Sequence, residues 1–284
     1  TVTGVDDSLI DGSQDTTITV SVVDSISNDS FDSLNDQTVT VSTADNDTAG
    51  FTVVQSGGST SVAESGSTDT FTVVLDAQPN SDVVISVSSG DTDEATVSPS
   101  LLTFTSGNWD STQTVTITGV DDSLIDGSQN TTITLSVVDG SSDNNFDPVD
   151  DQTVTATTTD NDTAGFTVVQ SGGSTSVAES GSTDTFTVVL DAQPNSDVVI
   201  SVSSGDTDEA TVSPSLLTFT SGNWDSTQTV TITGVDDSLI DGSQNTTITL
   251  SVVDGSSDNN FDPVDDQTVT ATTTDNDTAG FTVV

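Results

Sequence analysis

Residues 48–162 and 163–277 are one 115-residue sequence written twice without a single difference. Residues 1–47 are a slightly diverged copy of positions 116–162, and 278–284 (TAGFTVV) restart the unit at Thr48 and Thr163. A period this long signals an array of whole domains rather than a solenoid of small units. Identical modules offer the same surface again and again, which suits a spacer, stalk or polymer better than one active site. The expected organisation is the C-terminal part of a repeat (strands E–G) in 1–47, complete repeats in 48–162 and 163–277, and the first strand of another in 278–284. A chain that starts and stops mid-unit reads as a window cut from a longer array.

Charge is the second constraint. The chain has no Lys, Arg or His against 46 acidic residues, a formal net charge of −46. Nearly all the acids are Asp; the glutamates are Glu64, Glu94, Glu179 and Glu209. Such a chain repels itself unless mobile salt or bound metal neutralises it. Nucleic acid and anionic membrane surfaces are excluded as direct partners, since both are recognised through basic residues. Cysteine is absent, so neither disulfides nor thiol chemistry is available. No stretch has the length and apolarity of a membrane-spanning helix. With His, Lys, Arg, Cys and Tyr all missing, acid–base work would fall to carboxylates alone, and the chain does not read as an enzyme.

Apolar residues alternate with Thr and Ser at period two, the pattern of half-buried strands. In the first complete repeat this predicts strands A (50–55), B (70–75), C (82–88), D (100–105), E (113–119), F (131–138) and G (152–158). The fold class is therefore all-β, in tandem immunoglobulin-like seven-stranded antiparallel β-sandwiches. Phe71, Val73, Leu75, Val83, Ile85, Val87, Val115, Ile117, Ile133, Leu135 and Val137 are the expected inward set. Trp109, in the D–E loop, is expected to plug the bottom of the core.

If consecutive strands run antiparallel, the A–B, C–D and E–F connections and the segment after G all fall at one end. That pole gathers Glu64, then Asp91, Asp93 and Glu94, then Asp121, Asp122 and Asp126, then Asp160, Asn161 and Asp162. Crowded carboxylates without cations raise one another's pKa values and destabilise a fold. A hard divalent cation with oxygen ligands at ~2.3–2.6 Å resolves this, Ca²⁺ before Mg²⁺. Plain solvated loops are the alternative, and convergence from four separate segments argues against it. The F–G loop acids Asp139, Asp143, Asp147, Asp150 and Asp151 form a weaker second candidate at the other pole, coming mainly from one segment.

Several motifs in order now carry a resemblance. They are AGF opening strand A, Val62–Glu64, Leu102–Phe104, Thr116–Asp122 and the acidic triplet Asp160–Asp162. Each complete repeat resembles the Calx-β repeat, a calcium-binding sandwich of sodium–calcium exchangers and of very large bacterial surface proteins. The resemblance implies Ca²⁺ held by Glu64, by Asp91 or Asp93, and by Asp121, Asp122, Asp126, Asp160 and Asp162. In the second copy it implies Glu179, Asp206 or Asp208, Asp236, Asp237, Asp241, Asp275 and Asp277. The partial repeat keeps Asp6, Asp7, Asp11, Asp45 and Asp47. Two departures stand out: Asn161 replaces the middle acid of the triplet, and the C–D loop lacks the family's usual DGTA.

The TAG connector places one acidic pole directly before the next domain, so calcium there would restrict bending. The functional expectation is a calcium-rigidified extender of a secreted or surface-attached bacterial protein: a stalk, adhesin shaft, or filament of an extracellular biofilm matrix. Its expected partners are calcium ions and neighbouring repeats, with lateral self-association into fibres left open. The alternative is an adhesive module that grips glycan or another cell through exposed loops. Asn28, Asn46, Asn130, Asn161, Asn245 and Asn276 occupy N-x-S/T sequons, which are common by chance in so Thr-rich a chain.

Overall fold

The computed structural model describes residues 1–282. Contacts divide the chain into two compact units. The first is Thr1–Asp121 with Ser128–Thr159, and the second is Asp122–Gly127 with the residues from Asp160 onward.

The first unit opens with a two-stranded antiparallel pair, β1 (Gln14–Val20) and β2 (Gln37–Thr43). The sandwich that follows comprises β3 (Phe51–Gln55), β4 (Thr60–Ala63), β5 (Thr68–Leu75), β6 (Val83–Ser89), β7 (Ala95–Ser98), β8 (Leu101–Phe104), β9 (Gln113–Gly119), β10 (Gln129–Val137) and β11 (Gln152–Thr159). One sheet runs β3-β5-β9-β7, the other β4-β11-β10-β6-β8. The second unit repeats this with β12 (Phe166–Gln170), β13 (Thr175–Ala178), β14 (Thr183–Leu190), β15 (Val198–Ser204), β16 (Ala210–Ser213), β17 (Leu216–Phe219), β18 (Gln228–Gly234), β19 (Gln244–Val252) and β20 (Gln267–Thr274). Its sheets run β12-β14-β18-β16 and β13-β20-β19-β15-β17.

All seven expected strands form, and two more join them. The stretches between expected strands A and B and between C and D each contain a short strand, β4 and β7 in the first repeat. Strand A thus leaves one sheet as β3 and enters the other as β4. Gly57 and Gly58 make the crossing at φ 65° and 84°, a left-handed region open to glycine and costly for other residues. Not every pairing is antiparallel: β4 runs parallel to β11, and β13 parallel to β20.

Strand alternation selects the core as expected. Phe71, Val73, Leu75, Val83, Ile85, Val87, Val115, Ile117, Ile133 and Leu135 are buried, while Val137 and Trp109 pack partly buried against them. The second repeat buries the equivalent set, including Phe186, Ile200, Ile232 and Leu250. Fully burying such side chains is worth roughly 1.5–3 kcal/mol each, which lets a thin apolar core hold a chain this polar.

Strand E was expected within 1–47, yet residues 1–7 form no strand. In a complete repeat strand E pairs with β5 and β7, and both belong to the half that this segment lacks. Its apolar residues suffer accordingly, with Val20 62% and Val39 58% exposed. Of 278–284, expected to begin a further strand, residues 278–282 form none and 283–284 lie outside the described residues.

Candidate metal centre

The second repeat holds its pole within one compact unit, and four segments build it. Glu179 follows β13, where parallel pairing with β20 continues as the Glu179 N–H donates to Thr274 O at 3.2 Å. Glu209 immediately precedes β16, and its carbonyl accepts the Val235 N–H at 2.9 Å. Asp236, Asp237 and Asp241 lie on the loop between β18 and β19. Asp275 and Asp277 follow β20. One carboxylate oxygen from each of Glu179, Asp237 and Asp277 falls within 4.8 Å of the others. Glu209, Asp237 and Asp241 form a second such group, so Asp237 belongs to both.

Burial separates these acids from ordinary surface carboxylates. Glu179 is 1% and Glu209 9% exposed, in a chain with no basic residue to pair with them. Glu179 Oε1, Glu209 Oε2 and Asp277 Oδ2 are buried without a hydrogen-bond partner. A carboxylate oxygen stripped of water and left without a donor is costly unless a cation compensates. An all-oxygen donor set with flexible carboxylates suits a hard cation of the calcium type. The residues present therefore fit the metal that the sequence implies.

Electrostatics agree with that geometry. Burial pushes the Glu209 carboxyl up, and the charges of Asp241, Glu179, Asp237 and Asp206 add to it. Asp277 is raised the same way, by burial and then by Asp275, Asp236, Asp237 and Asp241. For Glu179 the largest influence is the Asn276 N–H, which donates to Oε2 at 3.1 Å and pulls the carboxyl down. Burial and three neighbouring aspartates outweigh it, and the net direction is up.

Other acids of the pole also hold the loops by hydrogen bonds. Asp275 accepts the Gly242 N–H on Oδ2 at 2.9 Å and the Asp277 N–H on Oδ1 at 2.6 Å. These bonds hold its carboxyl below the usual range, the Gly242 bond first. Asn276, in place of the middle acid of the triplet, donates Nδ2 to Asp236 Oδ1 at 2.8 Å. A neutral amide thus supplies a donor where a third carboxylate would only repel.

The expected C–D ligands lie at the surface. Asp206 and Asp208 are exposed, and Asp206 Oδ1 accepts the Asp208 N–H at 3.1 Å in a local turn. Glu209, one residue on, makes the inward contribution. The first repeat shows the same local pattern: Asp91 and Asp93 are exposed, Glu94 is partly buried, and Glu64 is buried. Asp121 and Asp122 are exposed there, while Asp126, Asp160 and Asp162 are half-buried. In the partial repeat, Asp6, Asp7, Asp11, Asp45 and Asp47 line one cavity with Asn46. Asp45 accepts N–H groups from Asp11, Gly12 and Asp47, as Asp275 does from Gly242 and Asp277.

At the opposite pole, Asp143 is buried, and the backbone consumes its carboxylate. Oδ2 accepts the N–H groups of Asn80 (2.6 Å) and Ser81 (3.0 Å), and Oδ1 that of Asn145 (3.0 Å). The F–G loop acid expected as a second metal ligand is therefore a clamp on the B–C turn. Asp147, Asp150 and Asp151 are exposed.

No family model and no curated protein matches the chain. Among solved structures it is similar to the calcium-binding domain CBD12 of CALX1.1, at 15% identity over 70% of this chain and 80% of that one, with a TM-score of 0.30. The apo form of the Calx CBD1 domain matches at 18% identity over 39% and 98%, TM-score 0.29. Domains 4 and 5 of the S-layer protein SbsC match at 17% identity over 80% and 99%, TM-score 0.32.

Proposed function

We propose that this chain is a calcium-binding structural extender, a run of sandwich repeats in a secreted or surface-attached bacterial protein. The observation that carries the reading is the set of buried carboxylate oxygens without donors on Glu179, Glu209 and Asp277. Asp237, common to both groups of three, is the natural bridge between two ion positions. The first repeat carries the same acids at the equivalent sequence positions, because the copies are identical. Calcium there neutralises the poles and stiffens the loops that carry its ligands, which is what a stalk, adhesin shaft or filament needs.

A glycan-gripping module would want aromatic side chains on exposed loops. Both candidates in each repeat are already used, since Phe146 and Phe261 are fully buried and Trp109 and Trp224 pack against the cores.

Thermal melting in millimolar Ca²⁺ against EGTA, at fixed ionic strength and with Mg²⁺ as comparator, tests the calcium half. An unchanged melting temperature would end it. Small-angle scattering with and without chelator tests the mechanical half: calcium should lengthen and stiffen the particle, and a compact particle in calcium would remove the stalk reading.

A further inference from the structure

The segment GVDDSLIDGSQ occurs three times, at 4–14, 119–129 and 234–244. In the first unit its tip is seated. Leu9 forms a parallel bridge with Gln78, Ile10 N–H donates to Gln78 O at 3.3 Å, and Gln78 N–H donates to Ser8 O at 2.7 Å. Ile10 O accepts from the side-chain amides of Asn80 (2.5 Å) and Asn145 (3.3 Å). The second unit repeats every contact. Leu124 bridges Gln193, Ile125 N–H donates to Gln193 O at 3.2 Å, and Gln193 N–H donates to Ser123 O at 2.7 Å. Ile125 O accepts from Asn195 (2.5 Å) and Asn260 (3.2 Å). Ile10 and Ile125 both pack against a hydrophobic core.

The third tip has no such seat: Leu239 is 62% and Ile240 60% exposed. We propose that Leu239–Ile240 is a docking tip, and that its partner is the Gln–Asn–Asn socket of a further copy of this same repeat. The occupant follows from the chain itself, because one eleven-residue sequence meets one socket sequence twice with the same five polar and bridging contacts. Both sockets present are filled, by Ile10 and Ile125, so the partner must be an additional copy whose socket is open. The socket is built before the tip arrives. Asp143 holds the backbone N–H groups of Asn80 and Asn145, and Asp258 those of Asn195 and Asn260, so the amides that reach the tip are fixed at their bases. Pre-formed donors make docking less costly in entropy.

Hydrogen exchange of the Ile240 amide tests this, with the seated Ile125 amide as internal reference. In the 284-residue chain Ile240 should exchange about ten-fold faster than Ile125 or more, as expected for a missing hydrogen bond of ordinary strength. Appending one more copy of the repeat should slow Ile240 to the Ile125 rate. Equal rates at the two positions in the unextended chain would overturn the proposal. So would fast exchange of Ile240 beside an appended copy whose core strand amides are protected. A second arm needs no extension: Asn195→Ala with Asn260→Ala should release the Ile125 amide by about ten-fold while Val230 and Ile232 stay protected. An Ile125 amide unmoved by those changes would show that the socket does not hold the tip.

Discussion

The backbone N–H of Asn195 donates to Asp258 Oδ2 at 2.6 Å, tying together two loops 63 positions apart in sequence. Ser196 N–H shares that oxygen at 2.9 Å, and Asn260 N–H takes Oδ1 at 3.0 Å. One buried aspartate thus satisfies three backbone donors, a role usually filled by a strand neighbour. Asp258→Ala should destabilise the second repeat by roughly 2–4 kcal/mol, because it strands those donors while leaving the calcium ligands in place. Chemical denaturation measures the loss. A calcium-dependent rise in melting temperature that persists in the variant separates this clamp from a metal site, and its disappearance would reverse the assignment.

Removing the shared ligand should silence the metal response. Asp122→Asn with Asp237→Asn should abolish most of the calcium-induced stabilisation. For a site in ~100-fold excess over its dissociation constant that stabilisation is ~2.7 kcal/mol. Asp147→Asn with Asp262→Asn removes the same charge from exposed loop positions and should leave the calcium response intact. Identical titrations from the two double variants would mean that calcium only relieves general self-repulsion.

Strand alternation alone exposed the sandwich, its inward face and the pole at which the acids gather. Strand parity places Glu179, Asp237 and Asp277 together without any contact being known. What it missed was short and local. Thr60 and Val62 alternate inward over only four residues, too few to distinguish β4 from a loop. Spacing cannot tell which acid of GDTDEAT turns inward, and the structure buries Glu209 while Asp206 and Asp208 stay exposed. A compositional signal was available: this Asp-rich chain spends its rare glutamates at the pole, where one extra methylene reaches further. Asp258 was illegible as a clamp, since the role depends on the B–C turn lying against it.

Acid should act on the fold in two opposite directions. Burial, then neighbouring acids, raises Glu209 and Asp277. A raised carboxyl costs stability above its folded pKa, and the cost vanishes as pH falls through that value. Asp184 behaves oppositely. The Ser171 hydroxyl (2.5 Å), then the Ser176 N–H (2.9 Å), and the Thr185 N–H (2.7 Å) hold it below its ordinary 3.8. Its stabilisation is complete above the unfolded value and is lost as pH falls through the folded one. Metal-free protein should therefore gain stability as pH falls through the raised range of these acids toward ordinary carboxylate values, and lose it as pH falls further, below the ordinary 3.8 of Asp184. Calcium-loaded protein should only lose, because protons compete for the ligands. Melting temperatures against pH in EGTA and in calcium check both limbs, and a metal-free curve that falls steadily from neutrality would sink the first.

Gly234 closes the pole from below. A Cβ there would lie 2.2 Å from Ala178 O, the last residue of β13, whose next neighbour is the proposed ligand Glu179. Gly234→Ala must push β13 away from β18 at a cost of about 1–3 kcal/mol. It should also weaken calcium binding, since Glu179 moves with the strand. Calorimetric titration of the variant measures the second effect, and undiminished affinity at that repeat would show that Glu179 is not a ligand.

The proposed ligation and docking meet on a single loop. Asp122 Oδ1 accepts the Leu124 N–H at 2.6 Å, and Asp160 Oδ2 accepts the Gly127 N–H at 2.8 Å. The Leu124–Ile125 tip between these anchors is seated on Gln193 and Asn195. An ion held by Asp122 and Asp126 would restrict the same few backbone dihedrals that docking requires, so each event would lower the entropy cost of the other. Calcium should therefore slow exchange of the Ile125 amide. Coupling between two binding events is reciprocal, so Asn195→Ala, which loosens the tip, must weaken calcium binding by the factor through which calcium tightens the tip. For a coupling of ~1 kcal/mol that factor is about five. Calorimetry on the full chain and its Asn195→Ala variant gives one side of the balance, and exchange at Ile125 with and without calcium gives the other. Calcium affinity unchanged by the variant would mean that the metal neutralises the pole without stiffening the array.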